Sequence, residues 1–169
     1  MVPVYKSGGR SLVTNYRPVS LTSIVCKQME HVIASYLRQV WDKNDWLYEG
    51  QHGFRPGYLC ESQVITVYQD IADSLDNGDR IDAIIVDFLK AFDLVPHGRL
   101  LTKIANSGAD PRVVVWIREF LTGRTQRISV EGQLSEEVRA TSGVPQGSVL
   151  GPLLFLADGG SSKRYRTFF

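Results

Sequence analysis

The sequence predicts an α+β fold, and three observations predict it. Ile81, Ala83, Ile84, Ile85 and Val86 form an apolar, β-branched run. Gly78 precedes it and Pro96 follows it, so it reads as a short buried strand ending on an acid, Asp87. Around it lie several apolar patterns at helical spacing. Two further stretches, 3–21 and 127–141, carry the turn residues of extended hairpins.

The elements follow in order. Residues 3–21, PVYKSGGRSLVTNYRPVSL, contain the turn signal Ser7-Gly8-Gly9 between two short extended pieces. Residues 22–43 form an amphipathic helix with Val25, Met29, Val32, Ile33, Tyr36, Leu37 and Val40 at helical spacing and Thr22 as the expected cap. His31 has no second ligand near it in sequence and is read as structural or solvated. QHGFRPG, residues 51–57, is a loop. Glu61 to Asn77 is a second helix with Val64, Val67, Tyr68, Ile71 and Leu75 on one face and Gly78 at its end. After the strand, Leu100, Leu101 and Ile104 mark a short helix closed by Gly108. Asp110 caps a further helix with Pro111 in its first turn, an inner face of Val113, Trp116, Ile117, Phe120 and Leu121, and Gly123 past its end. RISVEGQLSEEVRAT, residues 127–141, turns at Glu131-Gly132.

Composition sets the outer limits. A chain of 169 residues can bury one core or two small lobes. No apolar run is long enough to span a bilayer, and the first six residues are not a signal peptide, so the expectation is an intracellular protein, cytoplasmic or nuclear, without a membrane partner. Cys26 and Cys60 lack metal-ligand spacing and are read as reduced thiols. The net charge is only +1, but its distribution is uneven. No acid occurs from Met1 to Met29, whereas Lys6, Arg10, Arg17 and Lys27 are basic. Arg118, Arg124, Arg127 and Arg139 form a looser second group, diluted by Glu119, Glu136 and Glu137. For phosphate contact such local patches matter more than the total. For any one residue, solvated surface charge is the competing reading.

Two stretches carry the chemistry. In IDAIIVDFLKAFDLVPH, residues 81–97, a carboxylate at the tip of a rigid strand can face a cleft and suits a hard cation such as Mg²⁺. Asp87 as a solvated turn residue is the plain alternative. GVPQGSVLGP, residues 143–152, holds three glycines and two prolines, with Gln146 in the middle and an apolar run continuing through it. Glycines there let backbone approach a ligand closely.

DFxKAFDxVxH followed by GVPQGSxLGPLLF, with NYRPVSL (15–21) and QHGFRPG (51–57) before them, resembles the reverse transcriptases of non-LTR, LINE-type retrotransposons. The resemblance runs from residue 2 to about 156, four blocks in the family's order. A group II intron-type reverse transcriptase is the neighbouring alternative. The resemblance implies reverse-transcriptase fingers at 1–80 and a partial palm of the right-hand polymerase fold, with fingers-side helices and hairpin, at 81–156. A divergent, irregular tail follows at 157–169. It implies an RNA-directed DNA polymerase that uses an RNA template, a DNA primer, dNTPs and two Mg²⁺ ions.

Site roles follow from the same resemblance. Lys6 and Arg17 match the positions that grip the triphosphate, a task that suits a guanidinium. Asp87 would bridge the metals, with the Phe88 carbonyl as a further ligand. Phe92 matches the steric gate that selects deoxynucleotides. Gln146 and Gly147 would flank the nucleotide and template base, and Phe54 and Arg55 would lie along the template. Asp93 is read as hydrogen-bonding the turn rather than binding metal. From the residues alone, the alternatives are Phe54 buried beneath its loop and Arg17 simply preceding Pro18 in an extended segment.

The family's remaining carboxylates come from an aromatic-x-Asp-Asp hairpin, and these 169 residues contain no Asp-Asp pair. Ala157-Asp158-Gly159 echoes that motif faintly, too early and with one acid. Leu89 replaces the small polar residue more usual there. The expectation is a fragment that does not polymerise alone. A non-catalytic nucleic-acid-binding module and an inert retroelement relic are the other readings.

Overall fold

A computed structural model describes residues 1–85, 87–88 and 90–159. Val86, Leu89 and residues 160–169 lie outside the described residues, and with them part of the expected strand and most of the expected tail.

The chain opens with an antiparallel hairpin, β1 (Val2–Tyr5) against β2 (Tyr16–Val19), in the register Val2↔Val19 to Tyr5↔Tyr16. Gly8 takes φ +87 in the connection, as the turn signal required. Then come α1 (Ile24–Lys43) and α2 (Cys60–Asp76), followed beyond residue 88 by α3 (His97–Asn106) and α4 (Pro111–Leu121). Four short strands follow: β3 (Thr125–Gln126), β4 (Ser129–Val130), β5 (Gln133–Leu134) and β6 (Val138–Arg139). β3 pairs with β6 and β4 with β5, both antiparallel. Glu131 and Gly132 turn β4 into β5 with φ +50 and +81, the two positive values a tight primed turn needs. The Ser129 amide donates to the Met1 carbonyl at 2.8 Å and joins this hairpin to β1. The last element is α5 (Leu150–Gly159). Mixed helices and small sheets thus make up the described residues, in keeping with the α+β class.

The core is helical. α5 is buried nearly all round (Leu150, Gly151, Leu153 to Ala157), and it packs on α1 and α3. Leu37 and Trp41 of α1, Leu100 and Ile104 of α3, and Ile117 and Leu121 of α4 close around it. The connection between α3 and α4 is pinned to α1 by polar contacts. Trp41 Nε1 donates to Ser107 Oγ at 2.8 Å, and the Asp110 amide donates to the Tyr36 hydroxyl at 2.8 Å. α4 begins as expected: the Asp110 carboxylate accepts from the Arg112 amide at 2.8 Å, with Pro111 in the first turn.

The structure differs from several expectations. Ser23, not Thr22, caps α1, its Oγ accepting from the Cys26 amide at 3.1 Å. The buried stripe of α1 is Glu30, Ala34, Leu37 and Trp41, while Val25, Met29 and Val32 are exposed. A carboxylate and a small residue hold central positions, which a count of large apolar residues passes over. α2 forms, but Val64, Tyr68 and Leu75 are exposed, Tyr68 by 71%, and Gln63 is its only buried residue. α5 continues three residues beyond the boundary drawn for an irregular tail.

The largest correction concerns residues 81–87. Their described members form no strand and lie open: Ile84 is 88% and Ile85 91% exposed. Alternation and branching favour a strand only when ladder partners and a packing face are present. Among the described residues no strand pairs with this run.

Candidate nucleotide and nucleic-acid site

The site is built where residues 92–97 meet residues 142–147. The Val144 amide donates to the Phe92 carbonyl at 2.7 Å, and the Gly143 amide to the Val95 carbonyl at 2.9 Å. Ser142 Oγ donates to the Asp93 carbonyl at 2.9 Å. His97 Nε2 lies 2.8 Å from the Gly143 carbonyl, an acceptor, so that nitrogen carries the proton. Gly143 is required here twice over. Its φ is +86, and a Cβ would sit 2.7 Å from the Asp93 carbonyl oxygen. The two motifs are therefore one folded unit, although about fifty positions separate them.

Gln146 links this unit to the basic hairpin. Its Nε2 donates to Asp93 Oδ1 at 3.0 Å, while its carbonyl accepts from the Ser20 amide at 2.7 Å. Asp93 thus hydrogen-bonds within the turn region. Gly147, at φ +89, lies close enough to β2 that a Cβ would meet Val19 Cγ1 at 3.0 Å and the Ser20 carbonyl at 3.1 Å. β2 carries Arg17 and the hairpin continues into Lys6, whose amide donates to the Asn15 carbonyl at 2.8 Å. Both side chains are exposed, and neither has a carboxylate partner among the described ion pairs.

Phe92 stands in an aromatic ladder. It stacks on Phe155 of α5 with centroids 5.0 Å apart and planes 15° apart, and Phe54 meets it edge-on at 6.0 Å. Phe54 holds φ +59, an uncommon backbone state for an aromatic residue, and is partly exposed. The 51–57 loop and Phe92 are thereby in contact. Arg55 is engaged by its own loop. Its Nη1 donates to the Tyr48 carbonyl at 3.1 Å, and the guanidinium lies 4.7 Å from the Tyr58 ring centroid.

Glu30 is the residue that the sequence reading missed. It is fully buried, and its Oε2 accepts from the Val149 amide at 2.7 Å and the Leu150 amide at 3.0 Å. A carboxylate from α1 therefore caps the N-terminus of α5, directly behind Gln146 and Gly147. Ser148 completes the cap by accepting from the Gly151 amide at 2.8 Å. The usable signal was the spacing of Glu30 to Ala34, Leu37 and Trp41, which places an acid on the buried stripe.

The carboxylates do not converge. Asp87 and Phe88 are exposed on irregular backbone. Asp158 belongs to α5, where Arg99 grips it in a fork at 2.8 and 2.6 Å and Lys103 donates to its carbonyl. These contacts tie the end of α5 to α3. Among the described residues no three His, Cys, Asp or Glu come close enough to hold a metal ion. The described residues by themselves therefore do not fit a two-metal centre. No helix among them is long and apolar enough to cross a membrane.

Known proteins resemble the chain over most of its length. Residues 4–157 match the family described as reverse transcriptase (RNA-dependent DNA polymerase). The chain is 34% identical over 141 residues to a probable RNA-directed DNA polymerase from transposon BS of Drosophila melanogaster, covering 83% of this chain and 16% of that protein. It is 33% identical over 156 residues to the RNA-directed DNA polymerase from mobile element jockey of the same species, covering 92% of this chain and 17% of the relative. A probable RNA-directed DNA polymerase from transposon X-element, also of Drosophila melanogaster, is 33% identical over 141 residues, covering 83% of this chain and 15% of that protein. The chain spans about one sixth of the length of these relatives. With nearly its whole length matched, the chain belongs to the reverse transcriptase family, in the company of retrotransposon polymerases.

Proposed function

We propose that this chain is the nucleotide- and template-gripping part of a retrotransposon RNA-directed DNA polymerase, corresponding to fingers over residues 1–80 and a partial palm over 81–156. The observation that carries the reading is the docking of Gly143–Gly147 onto Phe92–Val95 and onto β2. It sets the gate-position aromatic, the Gln146–Gly147 backbone and the hairpin bearing Arg17 around one region.

In this reading Lys6 and Arg17 hold the triphosphate by charge-assisted hydrogen bonds. Phe92, fixed by Phe155 on one face and Phe54 at its edge, sits beneath the sugar and crowds a 2′-hydroxyl. Gln146 serves first to hold the loop, through Asp93, and Gly147 offers bare backbone beside the base pair. Phe54 and Arg55 lie along an RNA template. In a complete enzyme of this family Asp87 and the Phe88 carbonyl would be this chain's contribution to holding Mg²⁺, which would supply charge neutralisation there. Template and dNTP would meet in the cytoplasm or the nucleus.

A single exposed carboxylate does not position two dications, so the 169-residue polypeptide by itself binds and orients without transferring. The test is primer extension on an RNA template with Mg²⁺ and labelled dNTPs, comparing the purified chain with Asp87→Asn. The expected result is no extension from either. Extension by the wild type that disappears in the variant would show that these residues complete a metal site after all.

A further inference from the structure

The start of α5 is capped twice. Ser148 Oγ accepts from the Gly151 amide at 2.8 Å, the kind of cap that a residue beside a helix supplies. Glu30 reaches across from α1, 119 and 120 positions away in sequence, to accept from the Val149 and Leu150 amides. A helix end needs its amides satisfied, but it does not need a partner from so far off. What the distant cap adds is a fixed position relative to the element that carries it.

The choice of a carboxylate strengthens this reading. Glu30 is fully buried, and no cation pairs with it among the described ion pairs. Its other oxygen, Oε1, accepts from the Cys26 thiol at 3.5 Å. Burying a charge without a countercharge opposes folding, and an apolar side chain at the same place would avoid that penalty. An apolar side chain, however, could not hold two amides.

What Glu30 holds is the segment behind the proposed nucleotide site. Gln146 and Gly147 come just before the two amides in sequence. The Gln146 carbonyl accepts from the Ser20 amide at 2.7 Å, where β2 has just ended. Ser20 and Glu30 belong to one short stretch that runs from β2 into α1. Residues 146–150 are thus gripped at both ends by residues 20–30. The turn between has little slack, because a Cβ on Gly151 would meet the Pro145 carbonyl oxygen at 2.6 Å. Arg17 stands on β2 just before Ser20, so the stretch that carries it also sets the loop.

We propose that Glu30 is a positioning residue for the nucleotide site. It fixes Gln146 and Gly147 relative to Arg17 without itself touching the nucleotide. The proposal rests on the reading above for what the loop contacts, while the anchoring is tested independently of it.

The test pairs amide hydrogen exchange with calorimetric binding of dATP and of inorganic triphosphate by the purified chain. The Ser20 amide reports docking of Gln146, its acceptor, and the Ile104 amide in the buried part of α3 reports general stability. Glu30→Ala is expected to speed exchange at Ser20 about tenfold more than at Ile104. It is expected to weaken dATP binding about tenfold, with inorganic triphosphate, which needs only Lys6 and Arg17, bound as before. Glu30→Gln keeps one acceptor oxygen without the charge and should release Ser20 by about threefold beyond Ile104, carrying the test if Glu30→Ala does not fold. Ile117→Val trims the α4 core and should speed Ser20 no more than Ile104, leaving both ligands unaffected. Equal acceleration of Ser20 and Ile104 in the Glu30 variants would reduce Glu30 to a stabilising cap and overturn the proposal. Unchanged dATP binding by a folded Glu30→Ala chain, or equal weakening of dATP and triphosphate, would also overturn it. Selective release of Ser20 with no dATP bound by the wild type would support the anchoring and overturn instead the nucleotide reading.

Discussion

The motif unit of residues 92–97 and 142–147 and the described residues from α2 to Phe88 both carry apolar side chains, yet they end in opposite states. The first is knit to α1, α5 and β2 through backbone hydrogen bonds and the Glu30 cap. In the second, α2 turns Val64, Ile65, Tyr68 and Leu75 outward, and Ile84 and Ile85 lie open. The contrast teaches that an apolar pattern states a demand for burial, and neighbouring elements decide whether that demand is met.

Breaking the packed side should cost most. Leu154→Ala removes a fully buried side chain from α5 and should destabilise by about 2–5 kcal/mol in urea unfolding. Glu30→Ala strands two helix-terminal amides and should cost about 2–4 kcal/mol, with Glu30→Gln milder because its amide oxygen still accepts. Gly143→Ala places a Cβ against the Asp93 carbonyl at a positive φ and should cost about 1–3 kcal/mol, with loosening of the loop seen as faster exchange of the Val144 amide. Ile85→Ser, on the open side, should change stability by less than about 0.5 kcal/mol and reduce aggregation. If Ile85→Ser instead matched Leu154→Ala, the comparison between the two regions would fail.

Acid titration gives the smallest effect. The Asp110 carboxyl is lowered from 3.8 to about 2 by hydrogen bonds from the Arg112 side chain and amide. Its folded value lies below its unfolded value, so its contribution is present above about pH 4 and is lost as pH falls toward 2. Asp110→Asn should flatten the acid limb of a stability-versus-pH curve in that window only. The group is partly exposed, and the change should be slight.

What the sequence made legible follows the range of each interaction. The Asp110-Pro111 start of α4 and the Glu131-Gly132 turn depend on neighbours a few positions away, and both were read correctly. The family blocks were legible because each is a specific string. Their docking was not, because the Gln146–Asp93 and Val144–Phe92 bonds join distant positions. Glu30 was passed over because an acid among apolar residues reads as surface until the helix end it caps is known. The strand expected at 81–87 is not formed by its described residues because β-branching reports local preference, while a strand exists only in a ladder.

Amide hydrogen exchange on the intact chain tests the contrast most directly, because it reads both regions in one sample. The account predicts that the Val144 and Leu150 amides exchange only through global opening, whereas those of Ile84, Ile85 and Asp87 exchange close to the rate of unstructured peptide. Protection at Ile84 and Ile85 equal to that at Leu150 would contradict it, since the central run would then be paired and buried as a strand.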